Sequence, residues 1–332
     1  MSRPKRARES GCGPEAREFY SVTRTVFLGT PEFAVPSLEA VDRLCSGGSL
    51  ELAVVVTQPD RVGDRGRVAV PAVKTRALAL GVPVLQPARI DEAALREILA
   101  LRPELLVWAA YGNRIPGALL AAVKGRAVNV HASLLPRWRG AAPIAHAILA
   151  GDQETGVTLM EGTAALDEGP ILAQKRTPIG EAESAGDLTR RLALLGAGLL
   201  ERELPRYIAR DLEATPQDGS LATLAPKLTS RDGELDFARP ADELARRVRA
   251  LTPEPGAWTT FRGDRLVIAG ATVSGGTPRE HGAFEIHDGR PEVAAGAGWL
   301  RLEMVRPAGK RTMTGEDWAR GLRGVVGARL PS

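Results

Sequence analysis

The chain carries 332 residues, 44 Lys and Arg against 40 Asp and Glu, a formal charge of +4, and only two cysteines. That length is long for one hydrophobic core, so two domains are expected. No run of about 18 apolar residues is present to cross a membrane, and Cys12 and Cys45 offer neither a disulfide framework nor metal-ligand spacing.

From Met1 to Tyr20 there is no apolar stretch for a secretory signal, and Arg3, Lys5, Arg6, Arg8 and Arg17 are mixed with Glu9, Glu15 and Glu18. Mitochondrial transit peptides are poor in acids, so residues 1–23 are expected to be a disordered extension and the protein cytoplasmic. Thr25 to Leu28 reads as a strand that breaks at Gly29-Thr30-Pro31 and passes into a helix near Pro36 to Leu44. Further strands are expected at Leu52 to Val56, Leu105 to Ala110 and Ala127 to Val130, with helical apolar spacing at Ala72 to Ala79, Glu92 to Leu101 and Gly117 to Val123. Strands alternating with helices predict an α/β fold with a doubly wound, mostly parallel sheet, whose ligands bind beyond the carboxyl ends of the strands. The first strand is not followed by Gly-x-Gly-x-x-Gly, and no Walker-type lysine loop occurs, which disfavours a dinucleotide or nucleoside triphosphate.

A helix rich in Leu, Ala and Arg is expected from about Ser184 to Leu204, followed by a polar linker over 205–224 containing Pro216, Asp218 and Gly219. These limits give a first domain over 24–204 and a second over 225–330. The second domain opens with a helix at Ala241 to Arg249. Short strands follow at Ala257 to Phe261, Leu266 to Ala269, Ala283 to Ile286, Glu292 to Ala295 and Leu300 to Met304. Closely spaced short strands punctuated by glycine predict a small β-barrel or sandwich.

The residues with chemical potential lie at a strand end. Asn129 and His131 are two apart after an apolar run, so on a strand they share one face. Asp167 follows 36 positions after His131, beyond a second apolar segment. An amide donor, an imidazole and a carboxylate suit oxyanion stabilisation and proton transfer. By spacing alone, a structural asparagine and histidine at a strand end is the commoner reading. His146, on a helix-like stretch beyond Pro143, reads as structural.

The longer string Asn129-x-His131-x-Ser133-Leu134-Leu135-Pro136-x-x-Arg139-Gly140, with Leu166-Asp167-x-Gly169 downstream, resembles the formyltransferases that use 10-formyltetrahydrofolate. Val26 to Ala34, Thr57-Gln58-Pro59-Asp60-Arg61 and Arg137-Trp138-Arg139-Gly140-Ala141-Ala142-Pro143-Ile144 look like the methionyl-tRNA formyltransferases within that group. Arg306-Pro307-Ala308-Gly309-Lys310-Arg311 is similar to part of their C-terminal domain, so the resemblance covers roughly residues 24–330. It implies a formyltransferase-type Rossmann-like domain followed by an OB-like barrel. It also implies a formyl transfer from 10-formyltetrahydrofolate to methionyl initiator tRNA, with no metal. Asn129, His131 and Asp167 match the catalytic positions, and Ser133, Leu134, Leu135 and Pro136 match the folate wall. Tyr111 and Gly112 would present backbone groups to the pterin.

This chain has Ala165-Leu166-Asp167-Glu168-Gly169 where the family often has Gly before the Leu-Asp or Met-Asp and Thr after it, which adds a charge beside the aspartate. Between Thr57 and Arg76 lie Arg61, Arg65, Arg67, Lys74 and Arg76 against Asp60 and Asp64, around Gly63, Gly66 and Pro71. A charge run of this kind is most often a solvated face, but the matching loop of the family enters the acceptor end of the tRNA. Arg65 matches the arginine most tied to that recognition; Arg67 and Lys74 are generic phosphate contacts, and Arg306, Lys310 and Arg311 are candidates for the tRNA backbone. A monomer is expected. The rivals are another formyltetrahydrofolate-dependent transferase or hydrolase, and a tRNA-binding protein without chemistry.

Overall fold

The computed structural model describes residues 22–62, 68–278, 280–323 and 328–330. The expected extension over 1–23 lies outside these residues except for Val22 and Thr23, and Thr23 already opens the first strand. In chain order the first domain contains β1 (Thr23–Gly29), α1 (Val35–Cys45), β2 (Leu50–Val56), the short pair β3 (Arg61–Val62) and β4 (Val68–Ala69), α2 (Ala72–Ala79), β5 (Val84–Leu85), α3 (Glu92–Ala100) and β6 (Leu105–Ala109). It continues with α4 (Gly117–Ala122), β7 (Ala127–His131), β8 (Arg139–Gly140), α5 (Pro143–Ala150), β9 (Glu154–Glu161), β10 (Ile171–Pro178) and α6 (Ala185–Ile208).

Seven strands form one sheet in the order β10-β9-β7-β6-β1-β2-β5. The five from β7 to β5 run parallel, and β9 and β10 add an antiparallel edge. Alternation along each strand separates two cores. Phe27, Val107, Val128 and Val130 bury with α1, α2 and α6, whereas Val26, Leu28, Leu106 and Ala127 bury with α3 and α4. The chain leaves β1 toward β2 and β5, then returns to β6 on β1's other side. The ends of β1 and β6 are therefore the topological switch point, where a crevice opens.

Helix α6 is fixed at its start by a reciprocal cap between Ser184 and Asp187. It does not stop at Leu204 but runs through Pro205 to Ile208. The reason is tertiary: Tyr207 and Ile208 pack on the first core, and the Tyr207 hydroxyl donates to the Gly125 carbonyl at 2.9 Å. These contacts outweigh the backbone bond that proline cannot make.

The next strand, β11 (Leu224–Ala225), pairs with β8. The second domain then contains α7 (Ala241–Leu251), β12 (Ala257–Phe261), β13 (Asp264–Ser274), β14 (Phe284–His287), β15 (Arg290–Ala294), β16 (Trp299–Pro307), β17 (Met313–Thr314) and α8 (Gly315–Arg320). Its antiparallel sheet runs β12-β13-β16-β15-β14, with β17 on β16. The two ends of this path meet through side chains: Phe261 on β12 lies 5.5 Å from Phe284 on β14, and Trp318 of α8 packs edge-on to both. Aromatic edge-to-face contacts thus close the barrel-like curl around one core of Leu235, Phe237, Leu244, Ile268, Leu302 and Val305. The domains dock where Arg249 of α7 donates to the Glu183 carbonyl and Gly186 donates to the Thr252 carbonyl, both at 3.0 Å.

Candidate active site

Strand β7 is buried along its whole length, in register with Trp108 of β6 and Met160 of β9 at Asn129, and with Thr158 of β9 at His131. Val128 and Val130 are committed to the larger core, so Asn129 and His131 turn together to the opposite face. The chain then leaves the sheet as the loop Ala132 to Trp138, which is held by side-chain bonds rather than by a helix. Thr158 Oγ1 donates to Ser133 O at 2.6 Å and accepts from Leu135 N at 3.1 Å, while Gln174 Nε2 donates to Leu135 O at 2.8 Å. Ser133 Oγ donates to Arg137 O at 2.6 Å, and the Leu135-Pro136 peptide is cis.

Asp167 comes in from the β9–β10 connection. Its Oδ2 accepts from Gly140 N at 2.9 Å, and its Oδ1 accepts from Asn129 Nδ2 at 3.3 Å. His131 Nδ1 lies 3.7 Å from Oδ2, while His131 Nε2 donates to the Trp138 carbonyl at 2.9 Å. With Nε2 committed to a carbonyl, the proton sits there, and a second proton arriving at Nδ1 would face the carboxylate. One amide hydrogen of Asn129 goes to Asp167, which fixes the orientation of the group and leaves the other for an external oxygen. Asp167 adopts φ +52°, a left-handed conformation that few non-glycine residues hold without support.

Two glycines are required by close backbone approach. A Cβ on Gly169 would lie 1.8 Å from Glu161 O, and one on Gly140, at φ +123°, would lie 2.7 Å from Ala225 O. The glycine of Leu166-Asp167-Glu168-Gly169 therefore lets the aspartate loop fold back onto the end of β9.

The structure joins Asn129, His131 and Asp167, as the sequence suggested, and distributes the other candidates around them. Ser133 and Leu135 are buried; Leu134 and Pro136 are the partly exposed members of that loop. The Tyr111 side chain is buried in the second core, so only its backbone borders the switch-point crevice, where its carbonyl accepts from Thr30 Oγ1 at 2.9 Å. Gly112 is exposed beside it with φ +86°. Arg65 and Arg67 lie outside the described residues. Lys74 is ion-paired with Asp60 at 2.6 Å, and the bonds from Lys74 and Gln86 hold the Asp60 carboxyl below its usual range. Arg306, Lys310 and Arg311 are exposed at the end of β16 and in the turn that follows. His146 donates to the Pro226 carbonyl at 3.0 Å and stacks on Trp138, a structural position. An open cavity of about 340 Å³ lined by Leu134, Arg137, Trp138, Asp152, Glu154 and Arg176 borders the same loop but contains none of the three joined residues.

Sequence reasoning missed the partners that hold this arrangement: the Gly140 amide, the Trp138 carbonyl, Thr158, Arg139 and Gln217. Trp138, Arg139 and Gly140 stand in the string that carries the resemblance, whereas Thr158 and Gln217 left no mark in the sequence.

Comparison with known proteins places these observations. Residues 23–204 match the Formyl transferase family and residues 227–323 match the Formyl transferase, C-terminal domain family. The chain is 45% identical over 307 residues to the methionyl-tRNA formyltransferase of Halorhodospira halophila, covering 92% of this chain and 98% of that one. It is 44% identical over 308 residues to the methionyl-tRNA formyltransferase of Myxococcus xanthus, covering 92% and 97%. Its fold is similar to an N-formyltransferase of Helicobacter canadensis solved with folinic acid and dTDP-3-aminofucose (18% identity, TM-score 0.65, covering 85% of this chain and 98% of that one). The glycinamide ribonucleotide transformylase 1 of Symbiobacterium toebii aligns with a TM-score of 0.50 at 25% identity, over 60% of this chain and 96% of that one. The chain belongs to the formyl transferase family, among the methionyl-tRNA formyltransferases.

Proposed function

We propose that the protein moves the formyl group of 10-formyltetrahydrofolate to the free amino group of methionyl initiator tRNA, with Asn129, His131 and Asp167 as the reacting side chains. The observation that carries this reading is the convergence of an amide and an imidazole on one carboxylate at the end of β7, beside the switch-point crevice. The donor set fits an N-formyl donor. It offers hydrogen-bond donors to a carbonyl oxygen that gains charge, and a carboxylate for the proton that the amine must lose.

The folate supplies an activated formyl group on a nitrogen that can leave. The free hydrogen of Asn129 Nδ2 stabilises the formyl oxygen as attack by the amine makes it an oxyanion; one such donor is worth about 3 to 4 kcal/mol. The attacking nitrogen sheds a proton toward Asp167, whose carboxylate is held by Gly140 N and Asn129. His131 takes up at Nδ1 the proton that Asp167 has accepted, places its positive charge beside the oxyanion, and delivers that proton toward the leaving nitrogen. One C–N bond forms, one breaks, and the folate nitrogen ends with the proton that the amine gave up.

The crevice at Tyr111-Gly112 and the loop Ser133 to Pro136 receive the folate. Of that loop, Leu134 and Pro136 offer side chains and the buried Ser133 and Leu135 offer backbone. Arg65, Arg67, Lys74, Arg306, Lys310 and Arg311 are assigned to the tRNA, and binding through them weakens as salt rises. Lys74 must exchange Asp60 for a phosphate.

The test is incubation of the purified protein with 10-formyltetrahydrofolate and methionyl initiator tRNA, with glycinamide ribonucleotide and a no-acceptor control alongside. Formylated tRNA alone is expected. Formate without an acceptor would point to a hydrolase, and no turnover with salt-sensitive tRNA binding intact would leave only a binding protein.

A further inference from the structure

We infer that Gln217, in the segment joining the two domains, is a positioning residue for Asp167, so that this one side chain of the segment does more than tether the domains. The inference rests on the role of Asp167 proposed above. Apart from Asp167 itself, the aspartate loop is exposed from Thr163 to Glu168, and Leu166 is 68% exposed, so apolar packing cannot hold Asp167 in place. Its backbone is instead held by one side chain. Gln217 Nε2 donates to the Asp167 carbonyl at 2.9 Å and to the Gly169 carbonyl at 2.7 Å, which uses both amide hydrogens and brackets the loop.

The other end of that amide is also fixed. Gln217 Oε1 accepts from Arg139 Nε at 3.1 Å and from its NH2 nitrogen at 2.8 Å, and the remaining guanidinium nitrogen lies 3.3 Å from Glu168 Oε1. Arg139 is buried and belongs to β8, whose next residue, Gly140, supplies the amide that binds Asp167 Oδ2. Strand β8 in turn pairs with β11 of the joining segment, and Thr215 exchanges two backbone hydrogen bonds with Ile171, at 2.7 and 2.8 Å, where the loop re-enters the sheet. The segment therefore touches the loop at its exit, along its backbone and, through β8, at the carboxylate. A residue at φ +52° needs support of this kind.

The test uses the full chain with Gln217→Ala, Gln217→Glu and, as a control in the same segment, Asp218→Ala, whose side chain only caps Ser220. Wild-type turnover is measured first, so failure of the proposed reaction is separated from failure of this inference. Gln217→Ala is expected to lower kcat about 10- to 100-fold, the cost of a misplacement of about an ångström, with KM for both substrates within twofold and the melting temperature unchanged. Gln217→Glu retains a partner for Arg139 but cannot donate to the two carbonyls, so it should lose at least as much. Asp218→Ala should keep wild-type kcat. A Gln217→Glu enzyme with wild-type kcat would overturn the inference, as would a Gln217→Ala enzyme whose only changes are in KM or melting temperature. If the alanine variant fails to fold, the isosteric glutamate variant decides alone.

Discussion

Replacing Asp167 with asparagine isolates the charge at the centre of the site while preserving its shape. His131 Nδ1 lies 3.7 Å from Asp167 Oδ2, and the two side chains are 7% and 11% exposed, so solvent screens them little. At an effective dielectric of about 20, Coulomb's law gives about 4 kcal/mol for a carboxylate facing an imidazolium at that distance. At 1.36 kcal/mol per decade this is about a thousandfold in rate, provided that the histidine is protonated in the transition state. The amide also loses an acceptor: Oδ1 and Oδ2 accept from Asn129 Nδ2 and Gly140 N, and an amide nitrogen can replace neither. Loss of one such bond costs stability by about 1 to 3 kcal/mol, so the variant should still fold. The expected result is a fall in kcat of about three decades or more for formyl-methionyl-tRNA, with KM for 10-formyltetrahydrofolate within about twofold. A fall of less than tenfold would refute the assignment of Asp167, and so would a loss confined to KM for the folate.

Gly169→Ala forces the aspartate loop off Glu161 O, since no side chain can give way at 1.8 Å from a backbone oxygen; a loss of about 1 to 3 kcal/mol in denaturant unfolding and at least a tenfold drop in kcat are expected. Arg65→Ala should raise KM for methionyl-tRNA while leaving KM for the folate alone, and should reduce the slope of log affinity against log salt by about one; unchanged kinetics would remove this loop from the tRNA interface. The Tyr207 hydroxyl is pushed well above the ordinary tyrosine value, first by burial and then by the nearby Glu161 carboxylate. The folded state then keeps a proton that the unfolded chain releases near pH 10, so stability is full below that pH and declines as pH rises further. Urea unfolding at pH 9 and 11 should show the decline, and Tyr207→Phe should flatten it.

The fold was legible where apolar periodicity carried it. Three of the four strands expected in the first domain lie within observed ones, the fourth overruns β6 by Ala110 alone, and α2 has the limits that its spacing predicts, Ala72–Ala79. The same pattern could not show that α6 continues past Pro205, because that depends on Tyr207 reaching Gly125, 82 residues earlier in the chain. A proline within the last turn reads as a stop, and only the far contact overrules it. Nor could a polar stretch with Pro216 and Gly219 reveal that it lies against β8 and Ile171, since its attachment is made through backbone and amide groups that follow no repeat.

The candidate site divides along the same line, and the division has a chemical cause. Asn129 and His131 sit on a central strand, where the i, i+2 relation forces a common face and leaves a mark on the sequence. A carboxylate that must meet the amine of a macromolecular substrate cannot be buried on such a strand; it has to lie where that substrate can reach. Asp167 is accordingly on a loop, and a loop without a core gains precision from hydrogen bonds rather than packing. Those bonds end on backbone carbonyls and amides, Asp167 O, Gly169 O and Gly140 N, just as His131 on its strand is aimed by Trp138 O. Backbone groups are the same in every residue, so the reacting side chains can be read from the sequence while the groups that aim them cannot. Gln217 is the exception by chemistry alone, because an amide is the uncharged side chain that can donate to two carbonyls while its own oxygen accepts from a buried arginine.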